Sequence, residues 1–194
     1  MYQSIGKPFL DYTIAIFCSL LLLPLFILIA FLIKLDSKGP VFFKQQRVGK
    51  KLRTFNLYKF RSMTNKQHSV SKIIARGEGV TKVGYWLRRF KVDELPQLLN
   101  ILMGEMSIVG PRPGVLSHLE TLSDQQRQRY EVNPGLTGLA QVSGNIHLSW
   151  ADRITYDLKY VNKVSFPTDV KIILRTFLII IYGEGKYINS SFIL

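Results

Sequence analysis

The longest hydrophobic stretch of the chain lies near its N-terminus and predicts a membrane segment. Residues 12–33 form a run of 22 uncharged, mostly apolar residues, and a helix of about 20 residues crosses a bilayer. Pro24 lies near the middle of this run, where a proline removes a backbone donor and bends a helix. The pattern leaves two shapes open: a kinked helix that spans the bilayer, or a re-entrant helix that enters and leaves through one leaflet.

Two shorter runs of aromatic and β-branched residues follow. They read GPVFFKQQ at 39–46 and RTFNLYKF at 53–60, and the basic, glycine-containing segment between them predicts the turn of a β-hairpin. Residues 67–79 are polar and show little periodicity, so we expect a loop there that covers the functional site.

Helical spacing dominates the second half of the chain. A helix that begins near Asp93 is predicted by four leucines at the spacing i, i+3, i+4 and i+7. These are Leu95, Leu98, Leu99 and Leu102. Two more helices are predicted, from Pro113 or beyond to about Tyr130 and from Ser149 to Val161. Together with the hairpin, this pattern predicts an α/β domain that is mostly helical.

The last apolar run, residues 166–183, predicts one further helix. Thr168 or Asp169 would cap its N-terminus, and Gly183 would end it. The run is too short to span a bilayer and also carries two cations. We therefore expect an amphipathic helix that lies at the membrane interface.

Charge is distributed unevenly along the chain. The formal net charge is +13, and residues 34–92 contain 16 Lys or Arg against two acids. This asymmetry predicts an anionic partner, which could be nucleic acid, phospholipid or a phosphorylated substrate. It also favours the cytoplasmic side of a membrane for the basic segment. The single cysteine, Cys18, excludes a disulfide within one chain.

Two adjacent acids, Asp93 and Glu94, follow three closely spaced cations at Arg88, Arg89 and Lys91. Asp and Glu are common caps and first-turn residues of helices. Nearby cations would also keep a carboxylate ionised, and an ionised carboxylate can attack phosphorus or hold Mg²⁺ together with substrate phosphates. From the residues alone, both interpretations stay open.

Five motifs in a fixed order carry a family resemblance. They are DSKGPVFFKQQRVG (36–49), KFRSM (59–63), LRRFKVDELPQLLN (87–100), GEMSIVGPRP (104–113) and NPGLTGLAQVSG (133–144). Behind an apolar N-terminus, they resemble the bacterial sugar transferases, and among these the monotopic polyprenyl-phosphate phosphoglycosyl transferases. The chain is most similar to the small members, which have the catalytic core only.

The resemblance implies a reaction. A UDP-sugar would give its sugar 1-phosphate to a polyprenyl (undecaprenyl) phosphate and release UMP, in the first membrane step of bacterial glycoconjugate or polysaccharide synthesis. Asp93 would be the nucleophile and would form a covalent aspartyl-phosphosugar intermediate. Glu94 would bind Mg²⁺, which we expect instead of a transition metal because histidine and cysteine ligands are scarce.

The resemblance also implies an anion pocket. Arg88 would hold a phosphate, and Lys59 and Arg61 would complete the pocket, although alternation on a solvated hairpin would also place such cations there. Arg112 would contact the nucleotide or a phosphate, or would be a turn residue fixed by its flanking prolines. Gln141 would contact the nucleotide or sugar, with a loop-stabilising amide as the alternative.

For the membrane segment, the resemblance implies the re-entrant shape, with the helix break at Pro24. We expect a membrane re-entrant helix at 1–35, a cytosolic catalytic domain at 36–183 with a short β-hairpin and interfacial amphipathic helices, and a C-terminal tail at 184–194. Lys7 would hold a lipid or acceptor phosphate, or would be the basic flank of a membrane helix. The site would then face membrane phospholipids at the cytoplasmic side of the bacterial inner (plasma) membrane.

Two other functions compete with this one. A membrane-anchored glycosyltransferase would release UDP, but such enzymes often hold their metal with an Asp-x-Asp motif, which this sequence lacks. A non-enzymatic basic module would bind anionic lipid or nucleic acid. Because nucleic-acid binding gains nothing from an apolar segment, no nucleic-acid partner is expected.

Overall fold

The fold is mostly helical, with two small sheets, in the computed structural model, which describes residues 1–64 and 79–183. The loop predicted at 67–79, except Gly79, and the tail predicted at 184–194 lie outside the described residues. The helices are α1 (Lys7–Asp36), α2 (Lys82–Arg89), α3 (Gln97–Leu102), α4 (Asp124–Arg127), α5 (Leu139–Val142), α6 (Trp150–Asn162) and α7 (Phe166–Tyr182). The strands are β1 (Phe42–Val48), β2 (Thr54–Phe60), β3 (Ser107–Val109) and β4 (Gly135–Thr137).

Helix α1 is the long apolar helix that the sequence predicts, and by length and composition it could cross a membrane. One side is buried near both ends, at Lys7, Asp11 and Ala15 and at Ile29 and Ile33, and is partly buried between them, at Cys18, Leu22 and Phe26. The other side exposes large apolar residues, including Phe9, Leu20, Ile27 and Phe31. The helix continues through Pro24, so the break expected there and the re-entrant shape stay predictions.

Strands β1 and β2 pair antiparallel, which confirms the predicted hairpin. In their register Phe43 lies opposite Lys59, and Arg47 lies opposite Phe55. Residues directly opposite one another project to the same face of a sheet, so Lys59 and Arg47 share a face. Phe55 and Leu57 on that face are buried against α1 and α3, which fixes the hairpin on the rest of the domain.

A second sheet, which the sequence did not predict, brings two of the motifs together. Strands β3 and β4 pair in parallel, with Ser107 opposite Gly135. A Cβ at Gly135 would lie 2.0 Å from the backbone nitrogen of Gly110, so only glycine allows this approach. Strand β3 leads directly into the Pro-Arg-Pro segment that carries Arg112.

The continuous helix predicted within residues 113–130 is wrong. The segment contains only α4 and two single turns of 3-10 helix. Ser123 starts α4 through a capping box, in which its hydroxyl and the Gln126 side chain each accept from the other residue's backbone amide. Earlier in the segment, Gly114 pairs with Val48 in an isolated bridge, which attaches the chain to the hairpin and prevents helix formation there.

The two C-terminal helices are confirmed, with a correction at the start of α7. Ser149 precedes α6, and its hydroxyl caps that helix. Helix α7 begins at Phe166, earlier than predicted, so neither Thr168 nor Asp169 is its cap. Asp169 is instead buried inside the protein. The helix ends at Gly183, whose φ of 83° suits a terminating glycine.

Candidate active site

Asp93 and Glu94 lie in a tight turn between α2 and α3. The turn is one unit of 3-10 helix, Val92–Glu94, and the chain enters it through Lys91 with a φ of 55°, which is uncommon for a residue other than glycine. Helix α3 begins only after Pro96. Neither acid is therefore the N-cap of α3, although both lie in the first turn of the 3-10 helix, where acids are common.

Helix α2 holds this turn from its N-terminal side. The hydroxyl of Thr81 caps α2, and the carboxylate of Asp36, at the end of α1, accepts from the amide of Val83 at 2.8 Å. Near the other end of α2, the Nε of Arg88 donates to the Oγ of Ser62 at 2.9 Å. The segment after β2 thus orients the Arg88 guanidinium towards the turn, where its charge acts on Asp93.

Glu94 is held by two cations from different parts of the fold. Its Oε1 accepts from the Nζ of Lys59 at 2.6 Å and from a guanidinium nitrogen of Arg112 at 2.9 Å. Burial alone would raise the pKa of Glu94, but Arg112 and Lys59 together lower it to about 2. Glu94 is therefore ionised throughout the physiological pH range.

Asp93 has a different environment, although it is the neighbouring residue. Burial raises the pKa of Asp93 above its usual value; Lys59 and Arg88 oppose that rise, and Glu94 adds to it. Among the described residues, no cation lies within 4.0 Å of the Asp93 carboxylate. A half-buried carboxylate with no direct counter-ion is the more reactive of the two, because its electron pairs are not engaged by an ion pair.

Arg47 is a site residue that the sequence interpretation missed. A small pocket is lined by Arg47, Leu57, Lys59, Gln97, Arg112, Pro113 and Gly135. Burial lowers the pKa of Arg47, the nearby charge of Arg112 lowers it further, and Glu94 opposes this effect. The hairpin register would have identified it. Arg47 lies opposite Phe55, and Phe55 is on the same face of β2 as Lys59, so Arg47 and Lys59 share that face. The sequence showed the hairpin but not that register.

Arg61 lies apart from this pocket, unlike the prediction that grouped it with Lys59. Its guanidinium is buried and donates to the backbone carbonyl of Ser37 at 2.6 Å and to the Ser37 hydroxyl at 2.9 Å. A Cβ on Gly39 would lie 2.2 Å from it. In this structure Arg61 ties the end of β2 to the end of α1.

Lys7 and Gln141 also lie outside the group of residues that surrounds Glu94. The Nζ of Lys7 is buried and donates to Asp169 at 2.8 Å. The side-chain amide of Gln141 is buried in α5 and has no hydrogen-bond partner within the described residues. The expected substrate contacts of both residues stay predictions, as does the role of every other site residue.

The donor set can accommodate Mg²⁺ only in combination with a substrate. Among the described residues, no group of three or more His, Cys, Asp or Glu is arranged to hold a metal. Mg²⁺ is often held by one or two carboxylates together with substrate phosphates. The adjacent carboxylates of Asp93 and Glu94 fit that second mode.

The site therefore combines a cation-lined pocket with two carboxylates of unlike character, an arrangement suited to binding and attacking a phosphate ester. A sequence model described as "Bacterial sugar transferase" matches residues 2–183. The chain belongs to this bacterial sugar transferase family.

Several curated relatives share about two fifths of their aligned residues with this chain. "Uncharacterized sugar transferase EpsL" of Bacillus subtilis (strain 168) is 40% identical over 181 residues, which are 92% of this chain and 89% of that protein. "Undecaprenyl-phosphate glucose phosphotransferase" of Komagataeibacter xylinus is 40% identical over 90% of this chain but 36% of that protein. "UDP-glucose:undecaprenyl-phosphate glucose-1-phosphate transferase" of Xanthomonas campestris pv. campestris is 40% identical over 90% of this chain and 38% of that protein. The chain thus spans little more than a third of the two relatives named for the reaction.

Proposed function

We propose that this chain transfers a sugar 1-phosphate from a UDP-sugar to a polyprenyl phosphate and releases UMP. One observation carries the proposal: of two adjacent acids, Glu94 is held by Lys59 and Arg112, whereas Asp93 has a raised pKa and no direct counter-ion among the described residues. The names of two relatives, which specify sugar-phosphate transfer to undecaprenyl phosphate, support the same reaction.

In the first step, an oxygen of Asp93 attacks the phosphorus that carries the sugar. A bond forms between that oxygen and phosphorus, and the bond from this phosphorus to the bridging oxygen breaks. UMP leaves with the electron pair, and an aspartyl-phosphosugar remains. Asp93 needs to be ionised for this attack, and Lys59 and Arg88 favour the ionised form.

In the second step, a phosphate oxygen of the polyprenyl phosphate attacks the same phosphorus. The bond between phosphorus and the Asp93 oxygen breaks, the carboxylate is restored, and the product is a polyprenyl diphosphate-linked sugar. Lys59, Arg88 and Arg112 neutralise phosphate charge in both steps. Mg²⁺, held by Glu94, would supply further charge neutralisation.

The membrane part of the proposal rests on how α1 lies against the domain. Its 30 residues would extend about 45 Å, and residues on its inner side pack against the domain from Lys7 to Ile33, buried at both ends and partly buried between them. A helix attached to the domain over that length could cross a bilayer only by drawing the domain in with it. Shallow, re-entrant insertion with a bend at Pro24 fits better, with α7 at the interface and the site on the cytoplasmic face.

The nucleotide that is released tests the proposal. Detergent-solubilised protein is mixed with each member of a panel of UDP-sugars, with Mg²⁺ and polyprenyl phosphate, and nucleotides are separated by chromatography. We expect UMP with one or more donors; release of UDP would mean that the sugar moves alone and would overturn the mechanism. EDTA should abolish turnover and added Mg²⁺ should restore it, whereas a loss that Mg²⁺ does not restore contradicts the cofactor assignment.

Omitting the acceptor tests the covalent intermediate. If Asp93 forms an aspartyl-phosphosugar, the enzyme should release up to one UMP per molecule without any polyprenyl phosphate. Direct transfer between the two substrates requires the acceptor from the start. Absence of this burst, in protein that turns over when acceptor is added, would exclude the two-step route.

A further inference from the structure

Arg47 lies in the pocket, but it forms no ion pair with a carboxylate among the described residues. It is in β1, on the face of the hairpin that also carries Lys59. It lines the same pocket as Lys59 and Arg112. Those two cations share one oxygen of Glu94, whereas the hydrogen bond found for Arg47 goes to the neutral amide oxygen of Gln45, at 2.8 Å.

The donors of Arg47 are incompletely satisfied. Its Nε is buried and has no hydrogen-bond partner within the described residues. A buried donor of a charged group without an acceptor is costly, and the nearby positive charge of Arg112 makes this position less favourable still. An anion that enters the pocket would relieve both effects at once.

The charges around the pocket indicate how much negative charge a bound anion would carry. Four cations surround the pocket and the neighbouring turn, at Arg47, Lys59, Arg88 and Arg112, and the ionised carboxylates of Asp93 and Glu94 balance two of them. The remainder suits a group with about two negative charges, such as a diphosphate diester or a phosphate monoester. A guanidinium binds such groups through two parallel hydrogen bonds, and Arg47 has free nitrogens for them.

We propose that Arg47 binds a phosphate group of a substrate and thereby fixes the reacting phosphorus beside Asp93. This inference rests on the proposed function, and two sources of the phosphate are chemically equivalent: the diphosphate of the donor and the phosphate of the polyprenyl acceptor. Arg47 acts by binding and takes no part in bond making. Its function depends on charge and on the planar fork of the guanidinium, so lysine should replace it only in part.

Equilibrium binding of UDP to the full-length protein in detergent is the direct test, because UDP carries the diphosphate and needs no turnover. Arg47→Gln should weaken UDP binding about 10- to 100-fold, and Arg47→Lys should weaken it less. Uridine, which has no phosphate, should bind both variants like wild type. Lys44→Gln is the matched control: Lys44 is exposed on the other face of the same strand, and the same loss of charge there should change UDP binding by less than about threefold.

Steady-state kinetics distinguishes the two phosphate sources. If Arg47→Gln binds UDP normally but raises the KM for polyprenyl phosphate about tenfold or more, Arg47 holds the acceptor phosphate and the inference stands in that form. Unchanged UDP affinity together with unchanged KM for both substrates would overturn it. Thermal unfolding of each variant shows that the protein is folded, and Arg47→Lys serves if the glutamine variant is not.

Different results would refute the role of Arg47 and the proposed transferase function. A wild-type protein that releases UMP, with an Arg47→Gln variant that behaves identically, refutes the role of Arg47 and leaves the transferase intact. A wild-type protein that neither binds UDP nor turns over any donor refutes both.

Discussion

Two clusters of polar side chains in this molecule each contain two carboxylates and at least one cation, but they differ in how fully these groups are paired. The site cluster consists of Arg47, Lys59, Asp93, Glu94 and Arg112. The anchor cluster consists of Tyr2, Lys7, Asp11, Tyr160 and Asp169. Both combine carboxylates with cations, and both join segments that are far apart in the sequence.

In the anchor cluster the acids have full sets of donors. One oxygen of Asp169 accepts from Tyr2 and Lys7, at 2.7 and 2.8 Å, and the other accepts from Tyr160 at 2.7 Å. Asp11 likewise receives a hydrogen bond on each oxygen, from the Ser107 hydroxyl and from the next backbone amide. This cluster fastens the start of α1 to α7 and β3.

The site cluster is cation-rich and incompletely paired. Glu94 takes two cations on one oxygen, Asp93 has no ion pair among the described residues, and Arg47 is bonded only to a neutral amide there. Buried polar networks that are only partly satisfied are costly. What sets the site cluster apart is therefore the donor capacity left over at Arg47, next to a carboxylate without an ion pair, and not the amount of charge.

The largest expected effect is the loss of turnover when Asp93 is replaced. Asp93→Asn should reduce UMP release by on the order of 10³-fold or more, because the nucleophile is removed. Its thermal stability should equal or exceed that of wild type, since a half-buried charge with a raised pKa is removed. Turnover and thermal unfolding in detergent check the two parts.

The exposed Asp124 provides the matched control for that experiment, because Asp124→Asn makes the same chemical change on a fully exposed side chain whose ion pair is with Arg127. Its turnover should be that of wild type. If Asp93→Asn retained more than about a tenth of the activity, the nucleophile would have to be another group. The site cluster could then no longer be called catalytic on the ground that Asp93 lacks an ion pair.

The second effect should appear in stability and not in catalysis. Lys7→Met removes one partner of a buried ion pair and leaves Asp169 charged, which typically costs about 3–5 kcal/mol of unfolding free energy. Urea unfolding in detergent measures this loss. The double variant Lys7→Met/Asp169→Asn should recover part of it, because no uncompensated charge remains.

Lys34→Met is the control, since Lys34 lies exposed on the same helix. If Lys7→Met leaves stability unchanged but raises the KM for polyprenyl phosphate, Lys7 is a phosphate ligand, as the family resemblance implies, and does not belong with the structural residues. That result would show that the anchor cluster binds a ligand, and the two clusters would no longer differ in function.

Lys7 shows how far local sequence patterns reach. Its expected phosphate contact stays a prediction, as does that of Lys59, but the structure pairs Lys7 with Asp169, 162 positions away, and no local pattern records such a partner. The same limit hid the pairing of β3 with β4 and the place of Arg47, because both depend on register. Local patterns did predict α1, the hairpin and α6, because the residues that signal each of these elements lie close together in the sequence.

The break in the helix predicted between residues 113 and 130 could have been read from the sequence. Ser123 is followed three positions later by Gln126, which is the signature of a capping box and marks a helix start. The two acids at Asp93 and Glu94 could be located in advance as well. Their unlike environments could not, because these depend on Lys59 and Arg112 arriving from β2 and from the segment after β3.

A third effect, of intermediate size, should separate the two neighbouring acids by pH. The pKa of Glu94 is lowered from 4.5 to about 2, so its charge stabilises the fold above about pH 4.5, by about 3 kcal/mol. That contribution should disappear as pH falls from 4.5 towards 2. The pKa of Asp93 is raised, so its charge should destabilise the fold, and only as pH rises above the ordinary value of 3.8.

Urea unfolding of wild type, Glu94→Gln and Asp93→Asn between pH 3 and 8 measures both dependences. The stability advantage of wild type over Glu94→Gln should grow with pH, whereas its stability relative to Asp93→Asn should fall with pH. Curves that run in the same direction for both variants would show that the two acids share one environment, contrary to the structure.

The smallest effect tests whether the anchor cluster is independent of the site. Tyr2→Phe removes one hydroxyl from Asp169, but Lys7 and Tyr160 still donate to that carboxylate. The expected cost is therefore only about 1 kcal/mol of unfolding free energy, with no change in the KM for the UDP-sugar. Tyr12→Phe is the control, because Tyr12 lies in α1 ten residues after Tyr2, is partly exposed, and its hydroxyl makes no hydrogen bond within the described residues. If Tyr2→Phe raised the donor KM severalfold while Tyr12→Phe did not, the anchor cluster would be coupled to the site cluster through α1, and structural and functional charge could not be separated as they are here.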